Sequence, residues 1–406
     1  MTFAEVVADV EEYLANDSAG YAFDALRSVM AWPGTLTDAE WPAALALLAR
    51  IVTLNGLPAV AQLATRAAEH ADDPEALHSL GHELIDQRMS DIAASVLARA
   101  HARAAGDERV LNELVAALEL GGHYADARRL LAAANPRGFL ARYLLAFETF
   151  MAGDVEEARR LTAALAPSGL QEGHLRARLD RMLARAAAVG VVDARDVRAW
   201  RFATAGTFAL DGKRHGRVED SEASVRAGIE RLHAACTAWQ WQPAQVLAHD
   251  RPDSRRLALA VAARFGVACK PVVEPEEDGL FVAYDLRYVM AEVLAGLRAP
   301  RRGLLVFAHA TVTSEEEALA ADFTTLLCDR IVSPWSLHTV FPRRPEHPTG
   351  PPTESDEELA RRILETPLAA DALADLDELR RFAALAAPVA PPFVVGERER
   401  AWVLPQ

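Results

Sequence analysis

Lysine is nearly missing from this chain. Lys213 and Lys270 stand alone among 43 basic residues, the others being arginine, a bias that GC-rich codons explain. Cysteine is scarce as well. Cys236, Cys269 and Cys328 are too few and too far apart for a disulfide framework, and each lies in an apolar segment as a small buried hydrophobe. Positive charge is short: 58 acidic residues face 43 basic ones, for a net charge of −15. That field repels nucleic acid, and no basic cluster is interleaved with aromatics, so nucleic acid is not the expected partner. Long apolar runs are lacking too, since Arg50 interrupts the best stretch at Leu45–Val52, and no membrane association is expected. Residues Met1 to Asp9 carry acids where a secretory leader needs positive charge, so the chain reads as cytoplasmic. GxGxxG, P-loop, GxSxG and CxxC patterns are all absent, which removes nicotinamide, P-loop nucleotide and α/β-hydrolase chemistry; no motif assigns a cofactor.

What is present is a repeat. Leu77-x-x-Leu80-Gly81-x-x-Leu84 with Ala93 and Leu97 returns as Leu111-x-x-Leu114-Val115-x-x-Leu118 with Ala127 and Leu131. Ala93 and Ala127 are 34 positions apart, the period of a stacked helix–turn–helix unit. Leu145-Ala146, Gly153-Asp154 and Ala158 continue it with a shorter loop, and Leu47-Leu48, Asn55-Gly56, Val60, Ala64 and Ala67 precede it. Small residues let two antiparallel helices approach closely, and the leucines fill the layer between them. Over about Trp41 to Pro167 this pattern resembles a tetratricopeptide-repeat protein, with residues 2–32 supplying a first helical pair. The family's aromatic near the first helix start is missing in several units, and only Tyr124 keeps the aromatic before the second helix.

The resemblance implies a concave surface lined by exposed positions of each first helix, and with it a protein or peptide partner. Those positions are His78, His82 and Asp86, then Arg109, Asn112 and Glu119, then Tyr143, Phe147 and Phe150. Tyr143, Phe147 and Phe150 follow i, i+4, i+7 and form one stripe, either an aromatic platform or packing against the next helix. His78 and His82 share a helix face with Asp86, a spacing open to a metal. No further ligand follows, and a solvated polar face is the reading adopted.

The rhythm changes near Val189–Trp200. Arg201–Leu210 reads as extended and Asp211-Gly212 as a two-residue hairpin turn into Arg214–Val218. Strands then alternate with helices: helix Ser221–Ala238, strand Ala244–Ala248, helix Ser254–Phe265 stopped by Gly266, strands Val267–Val273 and Gly279–Tyr284, helix Arg287–Leu297, strand Gly303–Ala308, helix Glu315–Cys328 and strand Ile331–Ser333. Continuous apolar strands between helices predict a mostly parallel sheet in a three-layer, Rossmann-like or flavodoxin-like domain. The fold class is therefore α + α/β: a helical-hairpin solenoid over 1–190, an α/β domain over 195–341, then 342–406, a proline-rich linker with acidic helices at Ser355–Glu365 and Asp371–Ala386 and a closing strap pinned by Trp402.

Three strands end in ionisable residues, placing His249, Asp250, Asp285 and His309 where parallel sheets bind ligands. Converging, they suit general acid–base work or a divalent metal. The plain alternative is that a strand stops at a charge because it meets water, with Asp250 and Pro252-Asp253-Ser254 forming a turn and helix cap and Thr313-Ser314 with Glu316-Glu317 a capping box. Two functions follow. The first is a scaffold that recruits a protein or peptide partner to the α/β domain. The second is an enzyme working at the strand ends, with the solenoid selecting a macromolecular substrate.

Overall fold

The computed structural model describes residues 2–190, 195–272, 278–298, 303–312, 319–335 and 354–389. One compact unit runs to Glu172 and a second begins at Gly173.

The first unit is a run of helical hairpins: α1 (Phe3–Ala15) with α2 (Ala19–Met30), α3 (Trp41–Leu54) with α4 (Pro58–Glu69), α5 (Pro74–Asp86) with α6 (Ser90–Arg103), α7 (Glu108–Leu120) with α8 (Tyr124–Ala134), and α9 (Phe139–Met151) with α10 (Val155–Ala163). The period appears in the caps. Asp73 accepts the Glu75 amide at 3.1 Å, and 34 residues on Asp107 accepts that of Arg109 at 2.9 Å, each holding an otherwise orphaned helix donor. Gly81 explains the small position in its repeat, because a Cβ there would lie 2.4 Å from Leu97 Cγ, so α6 could not approach α5 as closely. One core joins Val6 of α1 to Leu131 of α8. At the start the array departs from simple neighbour-to-neighbour stacking. Helix α2 packs on α3 and also on α6, so α2 to α6 close on themselves. Trp32 fixes this closure: its amide donates to the Asp91 carbonyl at 3.0 Å and its indole to Asp126 at 2.7 Å.

The second unit holds α11 (Leu170–Val189), α12 (Val197–Ala205), β1 (Phe208–Ala209), β2 (Arg214–Glu219), α13 (Glu222–Ala238), β3 (Gln245–Ala248), α14 (Pro252–Phe265), β4 (Ala268–Pro271), β5 (Gly279–Asp285), α15 (Ala291–Arg298), β6 (Leu304–Val312), β7 (Phe323–Val332), α16 (Asp356–Glu365) and α17 (Leu376–Ala386). Every pairing in the sheet is parallel, in the order β4-β3-β5-β6-β7 with β1 and β2 end to end along the outer edge of β7. Counted from β3, that is the flavodoxin-like order 2-1-3-4-5, with its switch point between β3 and β5. Val246, Ala248, Val282, Tyr284 and Phe307 face α13, α14, α16 and α17, while Leu247, Phe281, Ala283, Val306 and Ala308 face the side of α15.

Four expectations are corrected. Of Arg201–Leu210 only Phe208–Ala209 is strand; Arg201–Ala205 is helix, because Asp196 caps α12 by accepting the Ala199 amide at 3.0 Å and the helix runs on to Gly206. Asp211-Gly212 is not a hairpin turn: β1 and β2 both run parallel to β7 along one edge, so the chain does not reverse between them as a hairpin would require. The turn is a bulge in one edge, and Arg198 fills it by donating to the Ala209 and Leu210 carbonyls at 3.0 and 3.2 Å. Phe323–Cys328 is strand, not helix, as the run Phe-Thr-Thr-Leu-Leu-Cys buried on both faces requires, and Ile331 and Val332 are its tail. Helix α17 begins at Leu376 instead of Asp371. The capping box at Thr313 to Glu317, the linker Pro342–Pro352 and the strap with Trp402 lie outside the described residues.

Candidate functional site

Register decides which strand-end residues meet. Ala248 lies level with Val282, Ala283 with Ala308, and Ala308 with Thr324. Side chains alternate along a strand. His249 therefore shares the face of Phe281 and Asp285, whereas Tyr284, His309 and Thr325 form a row on the opposite face. The four residues expected to converge, His249, Asp250, Asp285 and His309, are thus divided between the two faces of the sheet, and their common acid–base or metal site is not formed. Among the described residues no group of three histidine, cysteine or acidic side chains is placed to hold a metal.

The His309 side instead contains a buried network. His309 Nε2 lies 3.0 Å from Asp220 Oδ2, with both side chains 0% exposed. The Tyr284 hydroxyl donates to the same oxygen at 2.6 Å, and its ring centre is 5.2 Å from the imidazole. Asp220 follows β2 and precedes Ser221, the N-cap of α13; its amide is tied to the Val332 carbonyl at 3.0 Å. Burial pushes the Asp220 carboxyl up, but the imidazole and the hydrogen bonds from His309, Tyr284 and Ser224 outweigh it and hold the pKa below the ordinary range. Burial and the adjoining Asp220 carboxylate drive the Tyr284 phenol far above its usual value, so it stays a donor. Trp335 closes the network: its ring centre is 6.1 Å from that of Tyr284, and its indole donates to Glu222 at 3.1 Å.

Beneath α13, His309 Nδ1 and Thr325 Oγ1 have no hydrogen-bond partner among the described residues. A Cβ on Gly228 would sit 2.6 Å from Thr325 Oγ1 and 3.2 Å from His309 Nδ1, so α13 rests on the sheet through a glycine. A carboxylate that fixes one imidazole nitrogen and leaves the other open is the orientation a general base needs. Here it is sealed from solvent. Asp220 and Tyr284 were not legible as site residues, because 89 positions separate Asp220 from His309.

On the other face, His249 Nδ1 accepts the Arg251 amide at 3.5 Å, and its Nε2 is 3.3 Å from Asp250 Oδ1 without hydrogen-bond alignment. Burial lowers the His249 pKa, favouring neutral imidazole. Asp250 is exposed. Asp285 is buried and engaged: it accepts the Arg287 amide at 2.9 Å and the Arg287 guanidinium at 2.7 Å, so it is occupied as an anchor. Cys236 and Cys328 are buried and Cys269 is half-buried, all three as free thiols, with burial pushing Cys328 up to about 12.

In the first unit α5 and α7 pack side by side. His82 is exposed, with Nδ1 3.2 Å from Glu113 and Nε2 4.0 Å from Asp86, and Arg109 bridges to Glu75 at 2.8 Å. His78 is buried and Asn112 half-buried, and His78 Nε2 and Asn112 Oδ1 lack hydrogen-bond partners among the described residues. Glu119 is half-buried. Tyr143, Phe147 and Phe150 are only 3, 1 and 0% exposed, so these three do not form an open platform; an apolar i, i+4, i+7 stripe has been buried.

The hydrogen bond to the Glu113 carboxylate is the main cause that raises the His82 pKa. Glu113→Gln is expected to move the imidazole titration to lower pH, followed by NMR of the ring protons; an unmoved titration discards the pair. The cation's stabilisation is present below the unfolded pKa and fades as pH rises through the higher native value. At 56% exposure it is screened to well under about 1 kcal/mol.

No helix among the described residues is long and apolar enough to cross a membrane. No protein-family model and no curated protein matches the chain.

Proposed function

We propose that the chain is a cytoplasmic interaction protein whose tetratricopeptide-like hairpins recruit a protein or peptide partner and carry the α/β unit with them. The observation that supports this is the surface of α5 and α7. Positions 34 apart on these neighbouring helices bear Glu75 and Arg109, exposed and paired at 2.8 Å, beside the exposed His82 held 3.2 Å from Glu113. An exposed, ordered row of charged and imidazole groups suits the polar groups of an extended ligand. Three free cysteines agree with a reducing compartment.

Acid–base chemistry is the weaker reading. What favours it is the Asp220-held imidazole with Nδ1 open; what opposes it is complete burial. The test is capture by cross-linking from the native cell extract with the wild-type chain and with the His82→Ala/Arg109→Ala double variant. The partner recovered by wild type should fall at least fivefold with the variant at an unchanged melting temperature. Equal recovery removes this face as the binding surface.

A further inference from the structure

Helix α16 is tied to the starts of both α13 and α14, the helices that leave the carboxyl ends of β2 and β3. Its Asp356 accepts from Arg255 at 2.5 Å and from Arg256 at 2.8 Å, near the start of α14. Its Arg362 donates to Glu222, the first residue of α13, at 2.6 Å. Trp335 stands between these two anchors. Its indole donates to the same Glu222 at 3.1 Å, the Arg256 guanidinium lies 6.0 Å from its ring centre, and its ring neighbour on the sheet is Tyr284. Of the ten residues of α16 only Leu359, Ala360 and Ile363 are buried. The side chains of Arg255 and Arg362 are 50% and 43% exposed, so water and salt screen both pairs. What lies beneath is complete without this helix. Asp220, Tyr284 and His309 bond one another and take their positions from β5, β6 and the approach to α13.

We propose that α16 and Trp335 form a releasable clasp over the strand-end crevice between α13 and α14, and that its opening admits water or a ligand to Tyr284 and Asp220 while the sheet stays folded. Breaking a few screened ion pairs and lifting three buried side chains is a sub-global opening, smaller than unfolding of the sheet. Open parallel sheets bind ligands beyond the carboxyl ends of their strands, so the closed clasp is an autoinhibitory contact. It accounts for a carboxylate-held imidazole that is sealed from solvent on that edge. The clasp belongs to the α/β unit and rests on neither functional reading above, so partner capture and clasp opening succeed or fail separately.

Hydrogen exchange and hydroxyl-radical footprinting of the full chain, both read by mass spectrometry, test this. At low salt the α16 amides should exchange at least about tenfold faster than those of α14 and β5, and high salt should speed α16 alone. The Glu222→Gln/Asp356→Asn variant keeps the shapes of the anchors and removes their charge. In it α16 should exchange faster again, and oxidation of Tyr284 and Trp335 should rise at least about threefold with α14 and β5 unchanged. Should the variant unfold, wild type at high salt carries both readouts with the same criteria. Exchange of α16 that tracks α14 and β5, or that salt leaves unchanged, overturns the clasp. Unaltered oxidation of Tyr284 and Trp335 when α16 has lost its protection overturns it as well.

Discussion

Asp220→Ala should destabilise the α/β unit by about 3–5 kcal/mol, the cost of removing the carboxylate that a buried imidazole and a buried phenol both bond. His309 and the Tyr284 hydroxyl both donate to one carboxylate oxygen inside the unit, and neither has solvent to turn to when it is removed. The loss is therefore desolvation left uncompensated more than attraction forfeited. The double variant Asp220→Ala/His309→Phe should recover part of the loss, because the stranded imidazole goes with its partner. Urea unfolding measures both. A cost under about 1 kcal/mol for the single change would mean that water reaches the network. The pH dependence has a definite sign. The native Asp220 pKa is depressed, so its stabilisation is complete above the unfolded carboxylate value near 3.9 and is lost as pH falls through the lower native value. Asp220→Asn should flatten the acid limb of the stability curve, and parallel acid limbs in the two proteins would contradict the pairing.

Arg198→Met should cost about 2–4 kcal/mol and loosen α17, by the usual penalties for unmade buried hydrogen bonds. The guanidinium is the partner of the buried Ala209 and Leu210 carbonyls at the β1–β2 bulge, and it reaches Asp375 and Glu378, each at 3.1 Å. Methionine fills the volume and satisfies none of them. Asp375 retains Arg231 at 2.9 Å, and α17 retains its aromatic contact, with Phe382 5.2 Å from Phe208, so the unit should stay folded. Hydrogen exchange should show faster opening at α17 and the bulge than in α14. Uniform acceleration across the unit would show instead that Arg198 supports the whole core.

Local chemistry was readable where one element's own pattern determines it. The 34-residue spacing of Ala93 and Ala127 needs only that each hairpin bury the same layer, and the paired caps at Asp73 and Asp107 follow it. The strands at Gln245–Ala248, Gly279–Asp285 and Leu304–Val312 were legible because an apolar run bounded by glycine or charge has few alternatives. Cys236 and Cys328 were placed inside for the same reason.

Everything that depends on which strands are neighbours, and on which residue lies level with which, was left to the tertiary structure. Phe323–Cys328 carries an apolar run that fits a helix or a central strand equally, and its place between β6 and the β1–β2 edge settles it as strand. Asp211-Gly212 has the composition of a hairpin turn, yet parallel pairing on both sides makes it a bulge. His249 and His309 end strands in the same way, but side chains alternate with a period of two, so a one-residue difference in level sends them to opposite faces. Asp220 finds His309 only because the chain crosses the sheet between them. A sequence encodes the periodicity of its own segments, whereas register and proximity arise from how separate segments bury their surfaces against one another.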